Sequence, residues 1–175
     1  MPRACRPSSK SARRASPVAE MPMTSQTPVQ WWDDYDADWR LTTARRTVTE
    51  FDILSFATLV GMNEALFMDA EYIANDTPFG RRIAPGALVF SYAEGLVIQT
   101  GHLHTAAIAF LGAELTMQGP VYLGDTLQVE VTLDSKRATS KPDRGLVTTR
   151  NTVRTQSGQP VLEYLATRML RRRPD

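Results

Sequence analysis

Pro85-Gly86-Ala87-Leu88-Val89-Phe90-Ser91-Tyr92-Ala93-Glu94-Gly95-Leu96-Val97-Ile98-Gln99-Thr100 is the stretch on which the reading of this chain turns. Pro85-Gly86 leads into a predicted helix from Ala87 to about Thr100. Leu88, Val89, Tyr92, Ala93, Leu96 and Val97 make it apolar on nearly every side. A surface helix needs only one apolar stripe, so this one belongs inside, wrapped by other elements. The downstream chain supplies the wrapping. Ala106 to Met117, Leu127 to Lys136, Leu146 to Thr155 and Val161 to Leu170 read as strands, broken by Gly119-Pro120, by Lys141 to Gly145 and by Gln156-Ser157-Gly158-Gln159. In the second strand, Leu127, Val129, Val131 and Leu133 alternate with Gln128, Glu130, Thr132 and Asp134, giving one buried and one wet face. The layout is α+β: an antiparallel meander curling around one helix.

Upstream, Trp31, Trp32, Tyr35 and Trp39 among acids suggest a lead-in strand pinned to the core, and Arg40 to Val48 suits an extended segment. A second helix is marked by Thr49 as cap, by Asp52 near its positive end, and by Phe51, Ile53, Leu54, Ala57 and Val60 as its apolar face before Gly61. Met62 to Pro78 reads as an apolar loop around a short helical turn capped by Asp69.

A chain of 175 residues, 42% hydrophobic and 22% charged, suits one domain. We expect a disordered tail over 1–28, the domain over 29–171 and a short tail over 172–175. The first twenty residues carry five cations and no acid before Glu20, yet no apolar signal core. A transit peptide, a disordered tail, or a start placed ahead of Met21 and Met23 all fit. A net charge of +1 gives no argument for nucleic acid or an anionic membrane. No apolar run approaches a membrane span. Cys5 stands alone, so neither an intrachain disulfide nor a cysteine metal cluster can form, which fits a cytoplasmic setting. His102 and His104 have the spacing of two ligands on one strand face. No carboxylate completes the set, so solvent-facing histidines and no metal are expected.

Four blocks, Thr47-Val48-Thr49-Glu50-Phe51-Asp52, Asp69-Ala70-Glu71-Tyr72, Phe79 to Gly86, and Pro120-Val121-Tyr122-Leu123-Gly124-Asp125-Thr126-Leu127, resemble those of MaoC-like dehydratases, in the same order. The resemblance spans roughly Arg46 to Leu170. It implies a hot-dog fold, a homodimer or higher homo-oligomer, and acyl groups carried by coenzyme A or acyl-carrier protein as substrate or ligand, with no separate cofactor. The family's hydration motif, Asp-x-Asn-Pro-x-His, falls on Met62, Asn63, Glu64, Ala65, Leu66 and Phe67. Met62 thus replaces the catalytic Asp, Phe67 the catalytic His, and Glu64 the orienting Asn. A thioether and a phenyl ring transfer no protons, and each acid–base group is worth about 10²–10⁴-fold in rate.

The other half of such a site is retained. By the resemblance, a thioester carbonyl points at the start of the buried helix, at Pro85, Gly86 and Ala87, where a backbone N–H near Gly86 donates to the oxygen. Met62 and Phe67 then line the acyl pocket, and Arg81 is a candidate for a phosphate. Glu94 lies eight residues beyond Gly86 on the same stripe. The spacing is similar to that of hot-dog thioesterases, whose acid acts as nucleophile or base. Alternatively Glu94 pairs with a buried arginine, Arg150 or Arg168. Glu64 is a second acid in the right loop. Three functions are compatible with these residues: an acyl-CoA hydratase or dehydratase of the MaoC-like type lacking its usual pair, a thioesterase using Glu94 and the Gly86 amide, or a non-catalytic acyl-CoA-binding subunit.

Overall fold

The computed structural model describes residues 28–174, so the N-terminal basic segment and Cys5 lie outside the described residues. After a short 3-10 turn (Trp32–Asp34), the order is β1 (Arg40–Thr42), β2 (Arg46–Thr47), α1 (Glu50–Val60), α2 (Ala65–Met68), α3 (Ala70–Asp76), α4 (Gly86–Gln99), β3 (Ala107–Met117), β4 (Thr126–Ala138), β5 (Arg144–Arg154) and β6 (Pro160–Arg171). The sheet order is β1-β4-β5-β6-β3, all antiparallel, with β2 added on β4.

Helix α4 lies against the concave face of this sheet, the hot-dog arrangement. Leu88, Val89, Tyr92, Ala93, Leu96 and Val97 are buried in one core with Leu127, Val129 and Val131 of β4, Val147 and Val153 of β5, and Leu162, Tyr164, Ala166 and Leu170 of β6. Extra residues interrupt the pairing in β3, β4 and β6. Such bulges sharpen the local twist and bend a strand. The enclosure is not complete, however: Ala87, Ser91, Ile98 and Gln99 form an exposed flank of α4. One sheet covers one side of a cylinder, and apolar composition alone does not show which side stays open.

Helix α1 begins with a reciprocal cap. Thr49 Oγ1 accepts from the Asp52 amide at 3.3 Å, and the Thr49 amide donates to Asp52 Oδ2 at 2.9 Å. Gly61, at φ 76°, turns the chain left-handed to end it. Ile53 and Ala57 are buried as expected, but Phe51 is 78% exposed. At about 100° per residue, Phe51 stands nearly opposite Ile53. Val60 shares the buried stripe, yet it is the last helical residue and reaches past the core. The lead-in to β1 is the 3-10 turn rather than a strand, and its aromatics do pin it: Tyr35 is buried, and Trp32 Nε1 donates to the Leu146 carbonyl at 3.1 Å. His102 corrects an expectation. It is 2% exposed, 2.6 Å through Nδ1 from Thr100 Oγ1, with its ring centre 5.7 Å from that of Trp39 and tilted 41° to it. The chain folds back after α4, putting His102 under the lead-in segment, while His104 stays exposed. Burial and the nearby Arg168 charge hold the His102 pKa down at about 4.

Candidate functional site

Backbone hydrogen bonds bring three of the four sequence blocks together. The Val48 amide donates to the Asp125 carbonyl at 2.8 Å, and the Gly124 amide returns to the Val48 carbonyl at 2.9 Å. The Ala84 amide donates to the Val121 carbonyl at 2.8 Å, and the Leu123 amide to that of Arg82 at 3.0 Å. Asp125 shapes its own turn by accepting from the Tyr122 amide at 2.8 Å, with Gly124 at φ 91°. Arg82 ties the first block to the loop just before Asp69. Its Nε lies 3.3 Å from Glu50 Oε1, and Nη1 donates to the Phe67 carbonyl. Arg82 is therefore engaged within the fold. Arg81 is exposed, with its guanidinium 3.9 Å above the Tyr122 ring.

The loop from Met62 to Phe67, on which the resemblance places the family's hydration motif, starts at the Gly61 turn. Met62 is 37% exposed, Glu64 is exposed, and Phe67 is half-buried. Glu64 opens α2 without capping it by its side chain. Its carbonyl accepts from the Phe67 and Met68 amides at 2.9 and 3.0 Å. Asp69 caps α3 as expected, taking the Glu71 and Tyr72 amides at 3.0 and 3.1 Å.

The start of α4 differs from these two capped helices. Pro85 precedes it, no side chain caps it, and the first helical amide bond to Pro85 is from Val89 at 3.1 Å. The amides of Gly86, Ala87 and Leu88 belong to the turn whose N–H groups have no acceptor inside a helix. A side chain at Gly86 would stand 3.4 Å from Met117 Sδ. A helix start of this kind favours an electron-rich oxygen through its aligned amides and dipole.

Two turns on, Glu94 meets Arg168 of β6. Nη2 donates to Oε1 and Oε2 at 2.7 and 2.6 Å, Tyr164 donates its hydroxyl to Oε1 at 2.8 Å, and Arg168 Nη1 reaches Thr149 Oγ1 at 3.2 Å. Asn151 extends the seam by donating to the Thr149 and Tyr164 carbonyls at 3.0 and 3.2 Å. Burial, then the Glu94 charge, pushes the Tyr164 phenol well above its ordinary range, so it stays a donor. Of the two readings of Glu94, the pair with Arg168 is present; Arg150 lies at the surface on Asp134 and Glu163. Tyr164, Thr149 and Asn151 escaped the sequence reading. The signal was there: Leu162, Tyr164, Ala166, Arg168 and Leu170 alternate with outward residues, so Arg168 shares the phase of a core face. Among the described residues, no group of three or more His, Cys, Asp or Glu is placed to hold a metal, and no helix is long and apolar enough to cross a membrane.

Known proteins share this fold. The model of the MaoC like domain matches residues 37–156, from just before β1 through β5. Protein MaoC of Klebsiella aerogenes is 41% identical over 105 residues, which cover 59% of this chain and 30% of that protein, so this chain spans under a third of the length of that curated relative. Among solved structures, a monoamine oxidase regulatory protein of Archaeoglobus fulgidus is similar at TM-score 0.77 and 30% identity, over 85% of this chain and 99% of that one. The (R)-hydratase PhaJ1 of Pseudomonas aeruginosa is similar at TM-score 0.63 and 26% identity, over 82% and 86%. With more than half of its residues under that domain model and its blocks joined as described, the chain belongs to the MaoC-like family.

Proposed function

We propose that this chain binds acyl thioesters of coenzyme A or acyl-carrier protein at the start of α4, and that it does not hydrate them with a pair of its own. The observation that carries the reading is the contrast between helix starts. Thr49 and Asp69 close those of α1 and α3, whereas no side chain closes that of α4. An unfilled set of amides next to Gly86 suits a thioester carbonyl, which gains hydrogen bonds that the protein itself does not supply. Pro85 and Ala87 flank that position, Met62 and Phe67 furnish apolar contact, and Arg81 offers a cation for a phosphate. Met62 and Phe67 supply no proton donor or acceptor, and we assign Glu64 no role in proton transfer. Glu94, with both oxygens engaged by Arg168 and Tyr164, is in this reading a partner of Arg168 rather than a nucleophile. The free side of β3 exposes Leu111 and Leu115, which supports pairing of two copies.

The test combines titration calorimetry with two rate assays. Butyryl-CoA should bind, while crotonyl-CoA should keep its enoyl absorbance and saturated acyl-CoAs should release no thiol. Met62→Asp with Phe67→His should introduce hydration. Hydration by the unaltered chain would overturn the reading. So would thiol release that disappears in Glu94→Gln, which would make the protein a thioesterase.

A further inference from the structure

The Glu94–Arg168 pair also faces outward, into a cavity of about 920 Å³ between the second half of α4 and the start of β3. Phe90, Ile98, Ile108 and Phe110 give it apolar walls, and Glu94 and Arg168 form the charged part of its lining. A buried ion pair against hydrocarbon is costly unless its hydrogen-bonding positions are used. A carboxylate oxygen accepts two donors. Glu94 Oε1 receives Tyr164 and Arg168, whereas Oε2 receives Arg168 alone among the described residues. One acceptor position therefore remains on a residue that lines the cavity.

The pair is neutral as a unit, and this selects the ligand chemistry. A ligand carboxylate attracted by Arg168 would be repelled by Glu94 at nearly the same distance. A plain methylene chain would cover Oε2 and leave its second position empty. A hydroxyl fills it by donating, at no cost in charge. The distance is set by the helix: eight residues separate Gly86 from Glu94, about 12 Å along the axis. With C–C bonds of about 1.5 Å drawn in by the zigzag of the chain, that is the reach of ~10 carbons.

We infer that this cavity receives the far end of a medium-length acyl chain whose terminal region carries a hydroxyl group, which donates to Glu94 Oε2. The inference rests on the thioester reading above and narrows it to a substrate class. Calorimetric titration of the full chain with butyryl-CoA, decanoyl-CoA, 10-hydroxydecanoyl-CoA and the ten-carbon ω-carboxy ester separates the two. The hydroxy ester should bind roughly tenfold more tightly than decanoyl-CoA, the benefit of one hydrogen bond to a charged acceptor, and the carboxy ester should gain nothing. Glu94→Leu with Arg168→Met, which leaves an apolar wall, should erase the preference. Ile98 is 61% exposed, so Ile98→Trp fills the cavity mouth without disturbing the fold and should bring both ten-carbon esters to the affinity of butyryl-CoA. Equal affinity for decanoyl-CoA and its hydroxy ester, with butyryl-CoA still bound, overturns the inference alone. Failure of butyryl-CoA to bind overturns the thioester reading beneath it, because that ester is too short to reach Glu94.

Discussion

Replacing Arg168 by methionine keeps most of the side-chain volume and removes the charge, so it isolates what the ion pair does for the fold. The Arg168 and Glu94 side chains are only 7% and 16% exposed. The variant strips both Arg168 bonds from the Glu94 carboxylate, leaving it the Tyr164 hydroxyl alone, and takes Nη1 from Thr149. Breaking a buried pair from one side costs about 3–5 kcal/mol, because the remaining charge stays in a poorly solvated place. Glu94→Leu leaves the guanidinium stranded and should cost a similar amount. Removing both charges should cost far less than the sum, about 1–2 kcal/mol, since a packed apolar pair often equals a buried ionic one. Urea unfolding followed by tryptophan fluorescence reads all three. With a slope of about 1–3 kcal/mol per M, each single variant should lower the midpoint by roughly 1 M or more. The reasoning is refuted if either single variant falls within about 1 kcal/mol of the parent, or if the two single losses add up to the double.

Gly145→Ala should be costly out of proportion to its size. The new methyl would stand 2.2 Å from Trp32 Nε1, and the overpacking should cost about 1–3 kcal/mol, read as a lower melting temperature. Combining it with Trp32→Ala should recover that increment, and additive losses would show that the contact is unimportant. His102 predicts a pH effect. Its pKa is near 4 when folded and about 6.5 when unfolded, so below pH 6.5 the unfolded chain takes up the proton first. Its neutral burial therefore costs no stability above pH 6.5 and progressively more as pH falls towards 4, up to ~3 kcal/mol. His102→Gln should flatten this part of the stability profile. Thr49→Ala should cost about 1 kcal/mol through loss of the cap. It should also raise the Asp52 pKa from about 2: burial pushes that pKa up, and the Thr49 hydrogen bonds, with Tyr92 and Arg46, hold it down. Carboxyl NMR titration measures the change.

Much of the architecture is legible in local pattern. The alternation from Leu127 to Leu133 sets the buried face of β4, and the all-apolar run after Gly86 marks α4, because periodicity reports which side of an element meets the core. What periodicity omits is the identity of the partner. Nothing near Gly145 in the chain announces that Trp32 will lie across it, and nothing near Glu94 selects Arg168 over Arg150. The first choice is made when the 3-10 turn docks on β5, and the second when β6 turns its inward face towards α4. His102 shows the same limit: its neighbours suggest a polar turn, and only the return of the lead-in segment buries it. In the candidate site, Met62, Glu64 and Phe67 at the positions that the resemblance assigns to the family's motif are readable directly, since that reading concerns residue types alone. The seam of Thr149, Asn151 and Tyr164 is assembled across two strands and becomes visible only in three dimensions.

Arg82 grips residue 67 by its carbonyl, not by its ring. The grip is thus indifferent to which side chain stands there, and the same holds for the carbonyl of residue 64, which organises α2. The scaffold under the motif is written in main-chain atoms, and its chemistry in side chains that the scaffold does not consult. Imidazole can give way to phenyl at such a place with the loop still seated. A loop built this way tolerates a change of side chain at these positions without giving up the shape that presents them.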